Sequence, residues 1–192
     1  MSNKIITIPE QPELAAAPAN PTAGFTKLYK STDGNWYEVD SAGLVTKFSQ
    51  LALARIYDSA GGQAVSPGPV VKTYNINALF GNTATFATSG TTGLQVLVAG
   101  DYKITSVFTA DKINNSRSTM RQRVLVNGAQ LAGADGYSYH RTDAVDTATS
   151  TVVAAVSLAV NDIITVEVER TQGAGTLFAV AHGSSLMVEK FG

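Results

Sequence analysis

Two histidines, His140 and His182, are the only imidazoles of the chain, and cysteine is absent. Thiolate nucleophiles, thiolate metal ligands and disulfides are therefore excluded. His140, Asp143 and Asp146 lie at i, i+3 and i+6, the one trio with metal-ligating residue types at short spacing. Zinc wants at least three well-placed ligands. The stretch Tyr137 to Thr149 reads as a polar loop, where that spacing shares no common face, and solvated loop polars are the simpler account. Ser138, His140 and Asp143 have the residue types of a hydrolytic triad, but no Gly-x-Ser-x-Gly elbow accompanies them. Asp135 and Asp143 are carboxylates of the kind that cleave glycosidic bonds in pairs, and nothing else in the chain marks a sugar cleft. The expectation is a protein with no catalytic residue, no metal and no cofactor, and so not an enzyme.

Surface chemistry is better represented than catalytic chemistry. Lys112, Arg117, Arg121 and Arg123 form the one basic concentration, next to Asn114, Asn115 and Ser116. Tyr137, Tyr139 and His140 follow as an aromatic group able to stack on sugar. Arg117, Arg121, Tyr137, Tyr139 and His140 are thus the candidate contacts for a surface ligand. The simpler accounts stand beside this one: a strand edge kept from pairing by its charge, and tyrosines packed in a core or an interface.

The elements that must position these groups are strands. Only 15% of the 192 residues are charged and the net charge is −1, against roughly 25% charged residues in ordinary soluble domains. A nucleic-acid binder would be basic, and a helical bundle would be rich in Glu, Lys, Leu and Arg. The longest apolar run, Val152 to Val160, is interrupted by Ser157 and falls far short of the roughly 20 residues that span a bilayer. Ile5 to Ile8 is too short for a signal-peptide core. No nucleic acid, no membrane insertion and no secretory signal are expected.

Four prolines, Pro9, Pro12, Pro18 and Pro21, stand in the first 21 residues. Each removes a backbone donor and extends the residue before it. Residues 1–21 read as an extended arm with Ile5, Ile6 and Ile8 as its anchors on a partner. Residues 22–57 read as a small meander: Phe25 to Lys30, an Asp33-Gly34 turn, Asn35 to Val39, a Ser41-Ala42-Gly43 turn, and Leu44 to Phe48. Asp-Gly between alternating runs is a strong hairpin signal. So small a unit cannot bury enough surface alone, so copies are expected to pack through Phe25, Leu28, Trp36 and Val39. Leu51, Leu53 and Ile56 fit either a short strand or a helical turn. Residues 58–69, with Gly61-Gly62 and Pro67-Gly68-Pro69, read as a linker. From residue 70 to 192 turn signals recur between alternating runs, including Asn127-Gly128, as in a sandwich or barrel.

The order of motifs in this last region resembles the trimeric jelly roll of the complement-type globular heads and the tumour necrosis factor ligands. Ala99-Gly100-Asp101-Tyr102-Lys103-Ile104 looks like the family's Gly-x-Tyr strand opening, and Arg123 to Gly128 like its strand ending in an Asn-Gly hairpin. Ser150 to Val153, with Leu158 to Val166, looks like its paired strands, with Asn161 where a Gly is usual. His182 to Val188 resembles its last strand. That resemblance implies an all-β, jelly-roll homotrimer. Pro21 to Tyr29, Asp33-Gly34, Tyr37 and Asp40 to Gly43 resemble a segment of bacteriophage virion proteins that follows a Pro-rich arm. It implies a trimeric capsid decoration or head-fibre protein held on a major capsid or other virion protein. The alternative it leaves open is a tail-fibre tip touching host surface glycan or protein.

Overall fold

Side chains alternate across a strand, and inward-facing apolar positions recur every second residue through the second half of the chain. The computed structural model describes residues 13–32, 36–47, 52–74, 80–114, 116–141 and 146–191, and every regular element among them is a strand. The chain divides into two compact units, Met1–Gln50 and Leu51–Gly192.

The first unit is the expected meander, β1 (Thr26–Lys30), β2 (Trp36–Asp40) and β3 (Val45–Lys47), in the order β1-β2-β3. Its second turn closes on Asp40, whose Oδ1 accepts the N–H groups of Ala42 (2.9 Å) and Leu44 (2.8 Å). The Asp33-Gly34 turn lies outside the described residues. The register Leu28↔Glu38 and Lys30↔Trp36 puts Leu28 and Trp36 on one face, while Lys27↔Val39 and Tyr29↔Tyr37 put Val39 on the other. Val39 and Tyr29 are buried within the chain, and the Tyr29 and Tyr37 rings stack at 5.5 Å. Val39 is therefore not part of a shared packing face with Leu28 and Trp36, as the sequence had led us to expect. Leu28 (53% exposed), Trp36 (39%), Phe25 and Leu44 remain uncovered.

Residues 13–21 of the expected arm lie along this meander. Leu14 bridges Ser31: its N–H donates to the Lys30 carbonyl (2.8 Å) and its carbonyl accepts from Thr32 N–H (3.1 Å). Lys27 donates to the Ala19 carbonyl (2.9 Å), Glu13 pairs with Lys30 (2.6 Å), and Pro21 is buried. Prolines remove donors but not acceptors, and these carbonyls fold residues 13–21 back along the meander. Ile5, Ile6 and Ile8 lie outside the described residues.

The second unit contains β4 (Ala52–Tyr57), β5 (Ala64–Val65), β6 (Val70–Val71), β7 (Phe80–Gly81), β8 (Phe86–Ser89) and β9 (Gly93–Val96). The long strands β10 (Gly100–Lys112), β11 (Ser118–Val126), β12 (Ala129–His140), β13 (Asp146–Leu158) and β14 (Ile163–Gly173) follow, then β15 (Leu177–Ala179) and β16 (Ser185–Lys190). One sheet runs β5-β15-β10-β16-β4-β7, with β13 along the other side of β10; the other runs β12-β11-β14-β9-β8, with β6 on β14. The core between them holds Tyr102, Ile104 and Phe108 of β10, Met120 and Val124 of β11, Ile164, Val166 and Val168 of β14, and Leu186 and Val188 of β16. Phe86 meets Tyr102 edge-on at 5.7 Å. Asn127 (φ 52°) and Gly128 (φ 79°) make the Asn-Gly hairpin, and Asn161 has φ 73°. Asn tolerates that left-handed conformation better than other side-chain-bearing residues, which explains how it stands where a Gly was expected.

Two boundaries differ from expectation. Ala52–Tyr57 pairs with β16 from Ala52↔Lys190 to Tyr57↔Ser185, so it belongs to the sandwich rather than to the meander. Residues 58–69 are no linker. Asp58 is buried, and its Oδ1 accepts the N–H groups of Ala60 (3.1 Å) and Gly61 (2.9 Å). Its Oδ2 accepts from the buried Lys72 ammonium at 2.5 Å, which also donates to Gln63 Oε1 (3.2 Å) and the Thr73 carbonyl (2.6 Å). The glycines and prolines shape a loop that this ion pair draws into the core.

Candidate functional site

The polar loop expected over Tyr137–Thr149 is instead the end of β12 and the start of β13, with residues 142–145 outside the described set. Alternation then separates the candidate residues. Tyr137 (55% exposed) and Tyr139 (51%) point outward, and Ser138 and His140 point into the sandwich. His140 is fully buried, with Nδ1 3.1 Å from the Asp146 carbonyl oxygen. It is not a surface contact, because its neighbours in the strand take the outward face. Asp143 lies outside the described residues, and the buried Ser138 and His140 have no solvent-facing side from which to meet a substrate. Among the described residues no group of three His, Cys, Asp or Glu side chains is placed to hold a metal ion, and no helix is long and apolar enough to cross a membrane. His182 occupies an exposed turn with φ 60°, its ring 6.2 Å from that of Tyr57.

Outward-facing residues line up across β12, β11 and β14. One row is Tyr139, Thr119 and Gln172; the next is Tyr137, Arg121 and Glu169; a third is Asp135, Arg123 and Glu167. Arg121 pairs with Glu169, and Arg123 Nε donates to Glu167 Oε2 at 2.8 Å. Hydrogen bonding to Tyr137 raises the pKa of Arg121; burial opposes it, and the charge of Glu169 adds to the rise. Lys112 is wholly buried and donates to the Arg141 carbonyl. The basic concentration seen in the sequence is thereby dismantled: Lys112 faces inward, and Arg121 and Arg123 are neutralised by carboxylates more than 40 residues away. Arg117 is exposed, and among the described residues no carboxylate pairs with it.

Arg117 and Tyr139 come together at the end of this face. With Ser118, Thr119, Gln172 and Gly173 they line an open depression of about 260 Å³. Gly173 has φ 81°, and a Cβ there would stand 1.8 Å from the Arg117 carbonyl oxygen, so only glycine lets β14 approach this closely. Ser118 is buried, and its Oγ accepts the Gly175 N–H at 2.7 Å, fixing the floor. Gln172 and Thr119 were missed by sequence reasoning; the β11–β12 pairing sets Thr119 beside Tyr139, and only the pairing of β11 with β14 adds Gln172. A second depression, of about 470 Å³, lies on the opposite sheet among Lys103, Val153, Ala154, Ala155, Glu189 and Phe191.

No family model matches the chain, and no curated protein matches it. Among solved structures, murine APRIL at pH 5.0 matches with a TM-score of 0.54 and 17% identity over 74% of this chain and 100% of that one. Eiger TNF from S. frugiperda matches with a TM-score of 0.45 and 13% identity over 74% of this chain and 93% of that one. The first of these likenesses establishes the fold, a tumour-necrosis-factor-like jelly roll, and nothing finer.

Proposed function

We propose that this chain is a non-enzymatic homotrimer of a bacteriophage particle, a capsid decoration or head-fibre protein made in the host cytoplasm and assembled on the virion. Its N-terminal part attaches to the major capsid protein or another virion protein, and the jelly roll forms a projecting head. The observation that carries this reading is the N-terminal unit, a meander that buries Tyr29 and Val39 on one face and leaves Leu28 and Trp36 open on the other. Apolar faces of this kind mark contact with another chain, and further copies of the same unit supply a cover of matching chemistry. The jelly roll has a comparable surface: Val153 and Phe191 are exposed around a depression whose one ion pair joins Lys103 and Glu189 at 2.9 Å. The phage setting rests on the likeness of Pro21 to Gly43 to virion segments.

Attachment is assigned to the residues ahead of Leu14, where Ile5, Ile6 and Ile8 supply apolar anchors suited to strand addition on a partner sheet. Deleting residues 1–12 leaves the Leu14–Ser31 bridge in place. The shortened protein is expected to keep its oligomeric state and to lose binding, by at least about tenfold, to particles that lack the protein. Undiminished binding in a pull-down with such particles contradicts the assignment.

A second reading, a tail-fibre tip that touches host surface glycan or protein, is favoured by one specific feature: the exposed Tyr139 beside the exposed Arg117.

A further inference from the structure

Arg117 immediately precedes β11 and Arg141 immediately follows β12. The pairing Ser118↔His140 sets the two arginines opposite each other at the same end of the sheet. Both are exposed, and among the described residues neither forms an ion pair, whereas Arg121 and Arg123 on the same face are matched by Glu169 and Glu167. The Asp146 carboxylate accepts the Arg141 backbone N–H, and Lys112 is buried against the Arg141 carbonyl. Arg117 lines the depression with Thr119, Tyr139 and Gln172, Arg141 follows in register opposite it, and among the described residues no carboxylate lines the depression.

The chemistry of these four residues is specific in combination. A half-exposed tyrosine ring presents a flat apolar face to the C–H side of a pyranose. Gln172 supplies both an amide donor and an acceptor, and Thr119 a hydroxyl, which together suit neighbouring sugar hydroxyls. A guanidinium takes a carboxylate through two parallel N–H bonds. The volume, about 260 Å³, falls below the roughly 300–1,000 Å³ of pockets for drug-sized ligands and suits a single ring of a longer polymer. We infer that this depression is a subsite for a carboxylate-bearing sugar unit of a surface polysaccharide, with Arg117 on the carboxylate and Tyr139 against the ring. Arg141 adds charge attraction from the rim. The inference rests on the second reading above, in which the jelly roll contacts host glycan.

The test is titration of the whole protein with tetragalacturonic acid, followed by saturation-transfer NMR, with maltotetraose as the neutral counterpart. Saturation of the acidic oligomer and none of the neutral one is expected at low salt. Arg117→Ala is expected to weaken binding about tenfold or more, with Arg117→Lys recovering only part of it because an ammonium lacks the fork. Tyr139→Ala is expected to weaken binding with an unchanged melting temperature, and Arg55→Ala on the other sheet to leave it unchanged. Equal binding of both oligomers, or acidic binding indifferent to Arg117→Ala, overturns the subsite. So does equal displacement by dextran sulfate in wild type and Arg117→Ala, which marks unspecific polyanion attraction. Particle binding through residues 1–12 does not involve these residues, so failure here leaves the attachment reading standing.

Discussion

Replacing Lys72 with methionine is expected to destabilise the jelly roll by about 3–5 kcal/mol, the usual cost of removing one partner of a buried ion pair. Lys72 and Asp58 are both buried, at a contact of 2.5 Å. The methionine variant leaves the Asp58 carboxylate to the backbone donors of Ala60 and Gly61 among the described residues. Urea unfolding at fixed protein concentration measures the loss. Adding Asp58→Asn removes the orphaned charge while keeping an acceptor for those donors, and is expected to recover much of the stability. An unchanged urea midpoint in Lys72→Met would show that the pair does not hold residues 58–72 in the sandwich. The same pair gives a pH signature. Burial alone would raise the Asp58 carboxyl. The Lys72 ammonium and the two N–H bonds more than offset it and hold the group below its ordinary value of 3.8. A carboxyl depressed on folding contributes stability that is complete above the unfolded value and is lost as pH falls through the folded one. Wild-type stability is therefore expected to decline on acidification from about pH 5 downward, and the double variant to decline less.

Placing aspartates at Leu28 and Trp36 together is expected to dissociate the oligomer while leaving each chain folded. Both side chains are substantially exposed in the single chain, so the substitutions disturb little within it. In an assembly that buries this face, each unpaired charge costs several kcal/mol, and the cost is repeated in every copy. Circular dichroism close to wild type, with a mass reduced to one chain, is the expected outcome. An unchanged oligomer places the contact elsewhere. Val39 serves as the contrast: it lies in the chain's own core, and Val39→Asp is expected to unfold the meander rather than merely separate the copies.

The strands that the sequence revealed are those whose inward side chains are apolar. Tyr102, Ile104 and Phe108 in β10, and Ile164, Val166 and Val168 in β14, mark their faces plainly. β12 was hidden because its inner face carries Ser138 and His140, which sit in a core that also holds Ser106, Gln122 and Lys112. Ser106 Oγ and Gln122 Oε1 satisfy one another at 3.1 Å, and such pairs remove the hydrophobic contrast that periodicity detects. Tyr139 and Arg117 were legible as candidates by residue type. Their meeting with Gln172 and Thr119 was not, since register between strands far apart in sequence is set by the whole sandwich. Arg121 and Arg123 were read as free charges for the same reason: Glu169 and Glu167 reach them only through the β11–β14 ladder. The Gly- and Pro-rich stretch 58–69 has the composition of a linker, and only the Lys72 ammonium seated on Asp58 shows why it is folded in.

Sedimentation equilibrium of the full chain at micromolar concentration tests the central claim most directly. A chain of 20.1 kDa forming a homotrimer gives a single species of three times that mass, about 60 kDa, stable to dilution as expected of an interface that buries the apolar face of Leu28 and Trp36 in every copy. A species at the mass of one chain, or of two, would contradict the account.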